Sequence, residues 1–163
     1  MLNQKQVQDE FAQKHEKIGR DLLRNVFSNH DKYRIYFADY ENDEVDFIMF
    51  GEDKVYAGDV KCYRNPNHIR NHDKFNDYQI DYKKLEEITK KARMIGATPL
   101  LVVFFSDQLM IWDLDKIDWQ STKQDVLTNT RGGNYGIKKS IEPQAFLNLK
   151  QAFYINKNIN INN

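Results

Sequence analysis

The sequence predicts one α/β domain with elements in the order α-β-β-β-α-β-β, and three observations carry that expectation. Two long segments space their apolar residues as helices do. Between them, three short aromatic and β-branched runs alternate around polar turns. After the second helical segment, Leu100-Leu101-Val102-Val103-Phe104-Phe105 is continuously apolar, the mark of a strand buried on both faces. A chain of 163 residues suits one domain, spanning 1–155 with a core over about 5–113 and an extension over 114–155.

The first helix is expected over Lys5 to Phe27, with Val7, Phe11, Ile18, Leu22, Leu23, Val26 and Phe27 on its apolar side. Tyr33 to Phe37 then reads as a strand, Asp39 to Glu44 as a polar turn, and Val45 to Phe50 as a second strand. Gly51-Glu52-Asp53-Lys54 turns the chain into a returning strand from Val55 to Tyr63. Arg64 to Asp77 is polar and long, as functional loops are. A second helix is expected from Tyr78 or Gln79 to about Met94, closed by Gly96 as its C′ residue. Leu100–Phe105 and Leu109–Trp112 follow as strands around Ser106-Asp107-Gln108. Beyond Asp115 the pattern is mixed, with a flexible Gly-rich segment over Thr130–Gly136, a helix expected over Pro143–Tyr154, and a frayed Asn-rich tail at 156–163.

Composition removes several classes. One cysteine, Cys62, rules out a disulfide framework within the chain and fits a reducing cytosol. Met1 to Gln6 lacks a signal-type apolar core, and no run reaches the ~18 apolar residues of a membrane span, so a cytoplasmic protein without a membrane partner is expected. Seven glycines and three prolines leave no Gly-rich phosphate loop and no solenoid repeat. The 24 basic residues balance the 24 acidic ones, so a globally basic nucleic-acid binder is not the expectation either.

The chemistry lies in charged residues on elements that ought to be buried. Asp59 and Lys61 are two apart on a strand and share a face, with Val60 on the other. A two-residue turn at Glu52-Asp53 sets Gly51 against Lys54, and counting back brings Asp46 opposite Asp59. Facing carboxylates repel unless something compensates, and a hard divalent cation does so with oxygen ligands. Glu16 falls on the helix stripe of Ala12, Gly19 and Leu23, whose small residues allow a close approach to the sheet. Taken singly, each of these residues is ordinarily part of a solvated face, and their convergence is what carries weight. His68 and His72 stand four apart in an Asn- and Pro-rich loop without a third ligand, which argues against zinc.

Helix-borne Glu16, strand-borne Asp46 and, after twelve intervening residues, Asp59-Val60-Lys61 resemble the PD-(D/E)xK nuclease superfamily over about Lys5 to Trp112. Val45 stands where the name-giving proline would be. The resemblance implies a restriction endonuclease-like core, in which a mixed central sheet is flanked by helices in the order α-β-β-β-α-β. It also implies Mg²⁺- or Mn²⁺-dependent hydrolysis of phosphodiester bonds, most readily in DNA. Asp46, Asp59, the Val60 carbonyl and Glu16 would hold the metal, Lys61 would assist the attacking water, and Gln79 at the second helix start would help position it. Arg64, His68, Arg70, His72, Lys74, Lys83 and Lys84 would form a basic rim, with Arg131, Lys138 and Lys139 as a second phosphate contact. The alternatives are a weak or inactive nucleic-acid-binding or assembly module on the same scaffold, and an interaction domain without a nucleic-acid partner. Pairing of two copies is left open, and the Asn- and Lys-rich composition hints at an AT-rich bacterial or phage genome.

Neutrality is then the sum of two opposed regions. From Asp39 to Asp59 there are eight acidic residues and one basic, and from Lys61 to Arg93 nine basic and five acidic. Such a split predicts binding that depends on a divalent ion.

Overall fold

The structure is a computed structural model and describes residues 4–28, 31–38, 45–62, 77–105, 108–131 and 138–156. Helix α1 spans Gln4–Ser28, followed by strands β1 (Arg34–Phe37), β2 (Phe47–Phe50), β3 (Val55–Cys62) and β4 (Asp77–Asp81). Helix α2 (Tyr82–Met94) leads to β5 (Thr98–Phe104), β6 (Leu109–Asp113), β7 (Lys123–Arg131) and β8 (Lys138–Asn148). A 3₁₀ turn at Leu149–Gln151 and strand β9 (Tyr154–Asn156) complete the described chain. None of the described helices is long and apolar enough to cross a membrane.

The fold is mixed α/β. Six strands form the central sheet in the order β1-β2-β3-β5-β6-β9, in which β3 and β5 are parallel and the other neighbours antiparallel. Alternation along β3 and β5 divides the core. Val60, Leu100, Val102 and Phe104 pack beneath Leu23 of α1, while Leu101 and Val103 pack with Leu85 and Ile88 of α2. The central sheet is therefore covered by a helix on each face, in the element order the sequence implies for its core.

Gly19 shows how closely α1 approaches: a Cβ there would stand 2.9 Å from Val60 Cγ1 and 3.2 Å from Cys62 Cβ. Cys62 accordingly packs with the α1-side core, as its alternation from Lys61 predicts. At the far end of α2, Gly96 takes φ +71°, and the bonds Gly96 N–H to Arg93 O and Ala97 N–H to Ala92 O close the helix as a Schellman cap.

Two expectations are overturned. The second helix starts at Tyr82, because Asp81 caps it by accepting from the Lys83 N–H at 2.9 Å. Gln79 thus lies on β4, not at a helix start, and its amide donates to Gln144 at 3.4 Å. The expected helix over Pro143–Tyr154 is instead the end of β8, the 3₁₀ turn and the start of β9. Ala145, Leu147 and Leu149 are buried alternately, and with Tyr78 and Ile80 of β4 they join the α2-side core of Leu101, Val103 and Trp112. Tertiary burial at period two outweighs the helix propensity of Gln, Ala, Leu and Lys. This second sheet, β4-β8-β7, packs beside α2. Pro143 falls one residue beyond the β4 ladder, which ends at Asp81↔Gln144, where a missing N–H is tolerated.

Candidate active site

The β2–β3 hairpin keeps the expected register: Phe47↔Gly58 through Phe50↔Val55, closed by the Gly51 N–H to Lys54 O bond of 2.8 Å. The ladder stops one residue short of Asp46. The Asp46 N–H turns to the Gly58 carbonyl at 2.7 Å, the residue already opposite Phe47, so the strand buckles there as at a β-bulge. Asp46 is thereby displaced from a square position across from Asp59. Its carboxylate takes over the role of the missing ladder partner, with Oδ2 accepting the Val60 N–H at 2.7 Å. In a strand a residue's N–H and C=O point to the same edge, so the Val60 carbonyl is directed to this same open edge beside Asp46.

Asp59, 1% exposed, lies on the α2 face. Lys61 Nζ stands 2.6 Å from its Oδ2, and Lys84 Nζ, from the first turn of α2, 2.9 Å from its Oδ1. Neither oxygen receives an aligned hydrogen bond, and both are closed off from water. Two ammonium groups, 36% and 27% exposed, compensate the charge as ion pairs.

Arg20, which sequence reasoning passed over, joins the first helix to this group. Its Nη2 lies 2.5 Å from Glu16 Oε1 and 3.7 Å from Asp46 Oδ1, and its Nη1 donates to the Ala38 carbonyl at 2.7 Å. Glu16 therefore reaches the site through Arg20, one turn along α1. The i, i+4 spacing of an acid and an arginine beside Gly19 was the signal available for it. Lys84 carried a signal too: a cation in the first turn opposes the helix dipole and calls for an acid outside the helix.

Burial is the first reason that the Asp46 carboxyl is raised from 3.8 to about 6; the Asp59 charge adds to it, and the Val60 N–H and Lys61 oppose it. A cation relieves both causes. Among the described residues no group of three or more His, Cys, Asp or Glu is placed to hold a metal. The donor set is two carboxylates of adjoining strands and a main-chain carbonyl, all oxygen. Mg²⁺ takes one or two carboxylates and fills its shell with water, so these residues fit it.

Lys83 is exposed and pairs with Glu87 at 3.8 Å on the outside of α2. Arg131, Lys138 and Lys139 lie on β7 and β8, with Arg131↔Lys138 and Thr130↔Lys139 in register, and the Gly-rich segment between them, 132–137, lies outside the described residues. Arg64, His68, Arg70, His72 and Lys74 lie outside the described residues, as does the tail beyond Asn156.

No protein-family model matches the chain, and no curated protein matches it. Among solved structures it is similar to Hjc, a Holliday junction resolvase of the archaeal hyperthermophile Archaeoglobus fulgidus. The identity is 13% and the TM-score 0.45, over 63% of this chain and 78% of that one.

Proposed function

We propose that this protein is a divalent-metal-dependent nuclease that hydrolyses phosphodiester bonds in nucleic acid, DNA by preference, with a site of the PD-(D/E)xK kind. The observation that carries this reading is the buried Asp59 beside Asp46 at the open end of the β2–β3 hairpin, flanked by Lys61. Asp46, Asp59 and the Val60 carbonyl would hold Mg²⁺ or Mn²⁺, with Glu16 contributing directly or through a water. When bound, the ion polarises the scissile phosphate and makes water more acidic. Lys61, once released from Asp59, orients the attacking water and, as an ammonium, stabilises the hydroxide that forms as the water's proton passes to solvent. Lys84 meets the charge that develops on the phosphate oxygens.

One observation favours a second reading, a nucleic-acid-binding module that keeps the scaffold without cutting: each Asp59 oxygen already faces a lysine, which a metal must displace. Incubation with duplex, single-stranded and branched DNA and with tRNA, in Mg²⁺, Mn²⁺ or EDTA, separates the two. Products in the metal lanes and none in EDTA are expected; salt-sensitive binding without products in any lane would leave only the module.

Metal binding also has an expected pH dependence. Below about 6, an incoming ion must displace the Asp46 proton, so apparent affinity falls about tenfold per pH unit, and above that it levels off. Without metal the sign for folding is the reverse of the usual carboxylate. The folded state holds the proton more tightly than the unfolded one, so this residue's contribution to stability declines as pH rises from 3.8 to about 6. The Mg²⁺-induced rise in Tm should thus be larger at pH 7.5 than at pH 5 and vanish in Asp46→Asn. An equal rise at both pH values would contradict the assignment.

A further inference from the structure

We propose that Tyr36 and Phe50 form a stacking platform for an unpaired nucleobase, on the face of the sheet that carries Asp59 and Lys61; the proposal rests on the nuclease reading. Ile35, Phe37, Phe47, Met49 and Val60 all pack in the core under α1. By alternation, Arg34 and Tyr36 of β1 and Phe50 of β2 point to the other face, the one that carries Asp59 and Lys61. The pairs Tyr36↔Ile48 and Ile48↔Ala57 run straight across the three strands to the residue two before Asp59.

Helix α2 covers this face over β3 and β5, where Ala92 meets Ala57, but Tyr36 and Phe50 remain 58% and 45% exposed. Their rings meet edge to face, with centroids 5.8 Å apart and planes at 86°. Such a pair holds both rings in place and leaves ring surface open to a third. The Ala38 N–H donates to the Asp46 carbonyl at 2.9 Å, so Tyr36 stands two residues, about 7 Å, along β1 from the point facing Asp46. That is within the reach of one nucleotide from a phosphate held at the carboxylates.

The occupant follows from the chemistry beside the rings. Arg34, exposed and directly opposite Phe50, adds a cation on the same face. Aromatic rings with an adjoining cation along a strand are what an unstacked base and its phosphate require. A base inside a regular duplex has no free face to offer, so the substrate has unpaired nucleotides beside the scissile bond.

The test uses the full chain with Ca²⁺ in place of Mg²⁺ and two probes, a single-stranded oligonucleotide carrying 2-aminopurine and a blunt duplex. Wild type should quench the fluorophore saturably. The double variant Tyr36→Leu/Phe50→Leu keeps apolar bulk but not the π-faces. It should lose the quenching and bind the single strand about five- to tenfold more weakly, with duplex affinity changed by less than about twofold. Tyr36→Trp should retain the quenching, which a merely structural role for the ring would not require. Unchanged quenching in the Leu variant, in a wild type that cuts DNA with Mg²⁺, overturns the platform alone. Loss of quenching together with a fall from dimer to monomer mass overturns it in favour of a contact between two copies. A wild type that binds neither probe and cuts nothing overturns the nuclease reading and the platform with it.

Discussion

Replacing Asp59 by Asn is expected to lower metal-dependent cleavage by about a thousandfold or more while leaving the protein folded, with Tm unchanged or raised by a few degrees. The two effects part because of who is buried. Asp59 is 1% exposed and bears the full desolvation cost of its charge, whereas its partners Lys61 and Lys84 keep 36% and 27% of their side-chain surface in water. Removing one member of a buried pair is damaging when the survivor is stranded without solvent. Here the survivors can hydrate, and Asn fills the same space with a neutral group. A change of about 1 kcal/mol in a domain of this size moves Tm by roughly 2–4 °C. Thermal melts by circular dichroism and a cleavage time course on one preparation check both halves. Wild-type cutting by the variant would remove Asp59 from the chemistry, and a collapse in Tm would show that its charge stabilises the fold.

Gly58→Ala should have the largest effect on stability. A Cβ at Gly58 would stand 2.0 Å from the Leu100 carbonyl oxygen and 2.8 Å from its carbonyl carbon, both main-chain atoms of β5. No rotamer change relieves a backbone clash. The parallel β3–β5 pair must spread at Gly58↔Leu100, one residue from Asp59. A loss above about 4 kcal/mol is expected, with insoluble or unfolded protein as the practical result. Gly96→Ala is the control: it has open space around it and only its φ of +71° to sustain, so it should cost about 1 kcal/mol. Chemical denaturation of both variants reads the contrast, and a folded Gly58→Ala with wild-type midpoint would show that the strands do not approach this closely.

Local patterns carried much of the site. The two-residue turn after Gly51 set the hairpin register, which brings Asp46 to the neighbourhood of Asp59, and strand alternation puts Lys61 on the face of Asp59. The stripe of Glu16, Gly19 and Leu23 correctly aimed the first helix at β3, as the Gly19–Val60 contact shows. The site's remaining cations were harder to see. Arg20 looks like an ordinary surface charge along its helix, and Lys84 was expected only within a basic rim for nucleic acid; the way α1 and α2 cross the two faces of the sheet turns them toward Asp46 and Asp59. The bulge at Asp46 was also hidden, since nothing in Val45-Asp46-Phe47 marks where a ladder will buckle.

By itself, the sequence determined two amphipathic helices, five strands of the central sheet and the face that Asp59 and Lys61 share. Those features repeat every 3.6 or two residues or are set by a turn of fixed length, so short windows contain them. Tertiary structure decided the second sheet, where Ala145 and Leu147 chose the strand period once Trp112 and Tyr78 were there to cover them. It decided too which cations hold Asp46 and Asp59, and how near β3 lies to β5. Those outcomes depend on elements distant in the chain meeting at defined angles, and a contact between them leaves no periodic trace in either segment.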